Sequence, residues 1–271
     1  MSGTQATSTK QSEWEKRVRR AGVLAERFPY ATELLTFYRY ILEFQKTVYE
    51  QMSAPPFSDP QHEASFREQF DVGLVSRHLP ALLSLTRKRG TVKLAGEATE
   101  IASAGPDRQR QMLSDVLCAD GTVADSFFAR VLFQPYAEYL AGFEGPRPEG
   151  SAGSVCPVCG ARPQAAVLRP EGDGGKRFLL CSFCLMEWEF RRILGPVCGE
   201  ENYQKLPRYT VEELASVRVE ACDTCHFYLK SVDMTVDGHA VPLVDEVATV
   251  PLDLWATEHG YKKTEANLMG F

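Results

Sequence analysis

The sequence predicts an α+β chain in several parts, with an all-helical N-terminal domain followed by small modules built on cysteine knuckles. Three observations carry that expectation. Apolar residues recur at helical spacing from about residue 12 to residue 142. A glycine- and proline-rich stretch then interrupts the chain, and beyond it cysteines arrive in C-x-x-C pairs beside β-type segments. The composition is that of an ordinary globular protein, with 271 residues of which 44% are hydrophobic and 24% charged, enough for a normal core.

Residues 1–11 are polar and are expected as a disordered tail. Ser12-Glu-Trp-Glu15 fits a capping box, in which the hydroxyl and carboxylate satisfy free backbone N–H groups at a helix start. Trp14, Val18, Ala21 and Leu24 follow on one face, and Pro29 ends that helix. A second helix places Leu34, Leu35, Tyr38, Ile41, Leu42, Gln45 and Val48 on one broad face, until Ala54-Pro-Pro-Phe-Ser-Asp-Pro60 breaks it. Further helical patterns cover 61–89, 93–104, 107–118 and 122–142, separated by Gly90, by Gly105-Pro106 and by Gly121. The last holds Phe127, Phe128, Val131, Leu132, Tyr136, Tyr139 and Leu140. Together 12–142 reads as one all-helical domain, with Cys118 packed in its core. Residues 143–154 read as a linker that isolates this core, so the helical part is expected to fold without the cysteine modules. Residues 155–193 and 194–271 form those two modules, the second with a C-terminal helix.

Charge and hydropathy narrow the function classes. The net charge is −6 and the pI about 5.5, which argues against a protein that holds a phosphate backbone with clustered Lys and Arg. Residues 151–271 carry 12 Lys/Arg against 17 Asp/Glu, so a nucleic-acid-binding zinc ribbon ranks last. The polar first ten residues do not resemble a secretory signal, and no run of about 18 apolar residues offers a membrane span. The expected location is the cytoplasm. There, reducing conditions disfavour disulfides and make paired cysteines metal ligands or redox groups.

The pairs are Cys156-Pro-Val-Cys159-Gly160, Cys181-Ser-Phe-Cys184, the half-pair Gly195-Pro-Val-Cys198-Gly199, and Cys222-Asp-Thr-Cys225. Cysteines at i and i+3 of a tight turn aim both sulfurs at one point, so two knuckles about twenty residues apart make a tetrahedral four-thiolate site. Cys156, Cys159, Cys181 and Cys184 meet this requirement, with 21 residues between the inner pair. A thioredoxin-type redox dithiol would need a βαβ setting, which the pattern lacks. A four-thiolate site suits iron or zinc, and spacing does not separate them. Cys198, Cys222 and Cys225 repeat the layout with 23 residues between, but Gly195 stands where the first ligand belongs. Three thiolates need a fourth partner: His226, Glu200, Glu201, Asp223 or water. The chain contains no HExxH, P-loop, GxGxxG or GxSxG, so no catalytic residue is expected. Thr210-Val-Glu-Glu213 reads as a capping box opening a short helix, and Arg191-Arg192 as a solvated surface pair.

These residues together resemble the formate dehydrogenase accessory protein family, FdhE. The likeness comprises the CPVCG knuckle, Arg177-Phe-Leu-Leu-Cys181-Ser-Phe-Cys184-Leu-Met-Glu-Trp188, and Glu220-Ala-Cys-Asp-Thr-Cys225 with Tyr228-Leu-Lys230. It continues in Val244-Asp-Glu-Val-Ala248, Leu252-Asp-Leu-Trp-Ala256 and Gly260-Tyr261, and in the helical half in Leu34-Leu-Thr-Phe-Tyr38, Gln45 and Gln134-Pro-Tyr136. The resemblance implies a helical domain followed by two rubredoxin-like (zinc-ribbon-like) modules binding one or two ions, with iron the attributed metal. It implies a cytoplasmic maturation factor, not an enzyme, that binds the catalytic, molybdopterin-containing subunit of formate dehydrogenase. A homodimer is compatible with it. The departures are Gly195, where the family pattern has cysteine, and Pro251, inside a stretch expected to be helical. The competing reading is a rubredoxin-like iron protein that carries electrons.

Overall fold

Apolar stripes at helical spacing build the first half. In the computed structural model the described residues are 3–52, 66–118, 126–143, 153–172 and 174–271. They form α1 (Gly3–Arg27), a single 3-10 turn (Pro29–Ala31), α2 (Thr32–Glu50), α3 (Val72–Ser76), α4 (Leu79–Arg89), α5 (Val92–Ser103), α6 (Pro106–Cys118) and α7 (Phe127–Ala141). Side-chain caps start three of them: Asp71 accepts from the Leu74 N–H, Thr91 from Leu94 and Ser126 from Ala129. Two helical expectations are corrected. α1 opens at Gly3, so Ser12 lies inside the helix and the expected tail at 1–11 is helical from Gly3 onward. The 61–89 pattern divides into α3 and α4, because Pro80 fits the first turn of a new helix, where its missing N–H costs nothing. The beginning of that pattern, His62 and the Cys118 side chain lie outside the described residues.

α7 is the axis of the helical half and is buried along most of its length, with Pro135 inside it. Proline donates no N–H to the carbonyl four residues before it, which leaves the Val131 carbonyl without its helical partner. Gln45 of α2, fully buried, supplies the replacement: its Nε2 donates to the Val131 carbonyl at 3.0 Å and to Gln134 Oε1 at 3.2 Å. Gln134 then donates to the carbonyl of Ser182, inside the Cys181–Cys184 knuckle, at 3.1 Å. α1 also ties two directions together. Arg17 makes a bidentate pair with Glu138 of α7 (2.7 and 2.8 Å). Arg20 does the same with Asp245, at 3.0 and 2.5 Å.

The second half is one sheet. Its strands are β1 (Pro163–Glu171), β2 (Gly174–Cys181), β3 (Glu187–Glu189), β4 (Arg208–Tyr209), β5 (Val217–Ala221), β6 (Phe227–Asp233) and β7 (Lys262–Lys263). The order is β3-β2-β1-β6-β5-β4, with β7 beside β6. Each module repeats one plan: knuckle, two strands, knuckle, strand. The modules join where β1 pairs in parallel with β6, Ala165 opposite Lys230 and Val167 opposite Val232. Buried Arg177 reinforces the seam, reaching Glu220 at 2.8 Å and the Arg191 carbonyl at 2.9 Å.

Two further readings change in this half. Thr210 caps no helix; a 3-10 turn of three residues, Glu212–Leu214, forms instead with Val211 at its start. The C-terminal helix is a pair, α8 (Pro242–Ala248) and α9 (Val250–Glu258), with Pro251 in the first turn of α9. Residues 143–154 separate the halves in sequence but not in packing. One apolar core runs from Trp14, Phe70 and Phe133 to Cys181, Phe183 and Trp188, and the Phe70 and Phe183 rings stack at 5.7 Å. Among the described residues no helix is long and apolar enough to cross a membrane.

Candidate metal centres

Four turns share one backbone design. Cys156 N–H donates to the Ala161 carbonyl at 2.8 Å, Cys181 to Met186 at 3.0 Å, Gly195 to Glu200 at 2.8 Å and Cys222 to Phe227 at 3.0 Å. The chain reverses at the fourth residue after each, in the left-handed region: Gly160 (φ 74°), Leu185 (58°), Gly199 (73°) and His226 (57°). Glycine adopts that conformation freely; Leu185 and His226 hold it against the usual preference.

The first centre gathers all four predicted cysteines. The sulfurs of Cys156, Cys159, Cys181 and Cys184 lie within 4.8 Å of one another, and three of the four residues are buried. Cys156 and Cys184 sulfurs are 3.5 Å apart and those of Cys159 and Cys181 3.4 Å. Metal–sulfur bonds of about 2.3 Å in a tetrahedron put sulfurs about 3.8 Å apart, so a small adjustment admits an ion. The backbone N–H groups of Phe183 and Cys184 point at the Cys181 sulfur (3.3 and 3.4 Å). Crowding divides the thiols: hydrogen bonds from Cys159, Cys181 and Cys184 hold Cys156 well below the usual thiol range, and the same contacts push Cys184 far above it. A cation relieves that competition by replacing the shared protons.

The second centre gathers Cys198, Cys222 and Cys225, again within 4.8 Å, with Cys198 exposed. Cys198 and Cys222 sulfurs are 3.6 Å apart. Gly195 keeps the knuckle backbone, its carbonyl accepting from the Gly199 N–H at 3.0 Å as Cys156 accepts from Gly160 at 2.9 Å. None of the side chains considered as a fourth ligand joins the three sulfurs. His226 occupies the left-handed corner and its ring sits 6.2 Å from that of Tyr261. Glu200 accepts from the Thr224 hydroxyl (2.5 Å) and the Asn202 N–H (2.8 Å). Glu201 pairs with Arg191 at 2.7 Å, which also gives Arg191 a partner, and Asp223 accepts from the Tyr261 hydroxyl at 2.7 Å.

Two features are hidden in the sequence. Gln134 couples α7 to the first centre, and its only signal is a glutamine before a proline in a largely apolar helix. Arg177 stands in the sequence as part of a β-type run, yet it spans from the first module to Glu220. Burial works against the Glu220 charge, but Arg177, Arg218 and Arg208 together hold its carboxyl below the usual range.

Two family descriptions fit this architecture. Residues 155–192 match the FdhE central domain and residues 198–269 the FdhE C-terminal domain. Over these two segments the chain is similar to the FdhE family. FdhE is the formate dehydrogenase accessory protein family, as the resemblance implied. A "Protein FdhE homolog" from Aquifex aeolicus (strain VF5) is 28% identical over 285 residues, covering 100% of both chains. A homolog from Pseudomonas aeruginosa PAO1 is 34% identical over 53% of this chain and 48% of its own. The crystal structure of the FdhE protein from Pseudomonas aeruginosa has the same fold, with a TM-score of 0.72, 24% identity and 96% coverage of each chain.

Proposed function

We propose that this chain is a cytoplasmic, non-catalytic accessory factor that binds the molybdopterin-containing catalytic subunit of formate dehydrogenase and supports its activity or assembly. The observation that carries this reading is the likeness to an FdhE homolog along the whole chain, helical half included. Geometry supports a binding role. Knuckles flank the ends of β2 and β5–β6, so metal bound there stiffens the sheet, whose Leu179 and Leu229 share one apolar core with residues of α1 and α7. Iron is the metal assigned, with zinc as the alternative, and Cys156, Cys159, Cys181 and Cys184 are its ligands at the first centre. Cys198, Cys222 and Cys225 hold a second ion.

The test is affinity capture of the tagged full-length protein from its native cells, with mass spectrometry of the co-purified proteins and metal analysis of the same sample. The catalytic subunit should co-purify, and deleting the gene should lower formate oxidation. Unchanged formate oxidation in the deletion strain, with no catalytic subunit captured, would overturn the proposal.

A second reading, a rubredoxin-like electron carrier, has one observation in its favour. Backbone N–H groups on the Cys181 sulfur stabilise extra negative charge, which is how such sites adjust their potential. A ferric–thiolate spectrum reversibly bleached by a physiological donor would select that reading; a colourless zinc protein would eliminate it.

A further inference from the structure

We propose that the second centre is a three-thiolate metal site with an open fourth position, and that this position takes a small exogenous anion. The inference rests on Cys198, Cys222 and Cys225 holding a divalent metal; what is new is the missing ligand and what replaces it.

Four observations support it. Gly195 preserves both knuckle hydrogen bonds, so the turn that would carry a first thiolate is present and only the sulfur is missing. Glu200, Glu201, Asp223 and His226 stand outside the group, each engaged with a neighbour of its own. Beside the position of the missing sulfur lies a cavity lined by Gly195, Cys222 and Cys225. Its volume is about 30 Å³, room for roughly two water-sized groups at about 10–15 Å³ each. Finally, the same cavity is lined by Arg177, Arg192 and Arg208 against a single carboxylate, Glu220. Arg177 is paired with Glu220 at 2.8 Å, while Arg192 and Arg208 donate to backbone carbonyls, so the lining keeps a net positive charge, which attracts an anion. A monoanion on the metal also restores the charge that a fourth thiolate would bring, so the centre would match the first in net charge. Sites of three protein ligands with one position left for an outside group are well within the repertoire of such metals.

Cavity size sets the ligand class. Anions of one to three heavy atoms fit, whereas a peptide side chain or a nucleotide phosphate with its ester does not. In their absence water takes the position.

The experiment uses the full-length protein loaded with cobalt(II), whose ligand-field absorption reports its donors, and titrates it with sodium azide. Wild type should bind two equivalents, and azide should saturably shift the absorption of one of them. Gly195→Cys should keep two equivalents and lose the azide response, because the new thiolate fills the position. Its Cβ would come 3.2 Å from the Glu200 backbone nitrogen, a close contact, so Gly195→Ala serves as the steric control and should keep the response. Two equivalents in wild type with no azide response would overturn the proposal, since the protein itself would then supply the fourth ligand. A wild type that binds only one equivalent, lost on Cys159→Ser/Cys184→Ser substitution, would overturn it as well. Failure to bind any cobalt would instead defeat the prior reading that these cysteines hold metal.

Discussion

Cys156, Cys181, Gly195 and Cys222 occupy the same place in four like turns, and only one of them lacks a sulfur. That contrast separates what the backbone does from what the ligand does. The turn needs a left-handed corner, and Gly160 and Gly199 announce it in the sequence, while Leu185 and His226 do not. This is why His226 reads as a possible ligand in the sequence: its neighbour Cys225 is visible there, but the φ of 57° that turns it to a structural duty is not. The seven cysteines of the knuckles are legible because metal chemistry fixes their spacing so tightly. Replacing both Cys159 and Cys184 with Ser should remove about one metal equivalent and lower the melting temperature, since metal binding at such a site is folding energy. Elemental analysis with thermal melting checks it; unchanged metal content would contradict the four-thiolate assignment.

Among the elements, α2 and α7 are readable from their apolar faces, and Gly90 and Gly105-Pro106 mark real breaks. The start of α1 is not. A plausible capping box at Ser12 loses to a helix that continues upstream to Gly3, because a capping motif states a possibility and not an obligation. The two modules also look separate in sequence, since nothing in an alternating strand says which edge it will join. One polar link between the halves is Gln134, whose amide bridges Gln45 and the Ser182 carbonyl. Substituting Gln134→Leu leaves that buried carbonyl without its donor and should cost about 1–3 kcal/mol. Denaturant unfolding measures the loss, and faster release of metal from the first centre to a chelator should accompany it. A variant as stable as wild type would show that the bridge is incidental.

For the whole molecule, the glycine- and proline-rich connection suggests two independent folding units, whereas the core crosses it. Ending the chain near Glu144 would strip Phe183 from Phe70, Ser182 from Gln134 and Asp245 from Arg20. Such a fragment should keep helical circular dichroism, bind an apolar dye and melt broadly. A sharp, cooperative melt would show that the helical half is a domain in its own right.

The central claim is that this FdhE-like chain recognises a metalloenzyme subunit through a fold completed by its cysteine centres. Its most direct measurement is calorimetric titration of purified full-length protein against a purified molybdopterin-containing formate dehydrogenase subunit, beside the Cys159→Ser/Cys184→Ser variant. Saturable binding by wild type, weakened at least tenfold in the variant, is the predicted result. No detectable heat or complex with the wild-type, metal-loaded protein would contradict it.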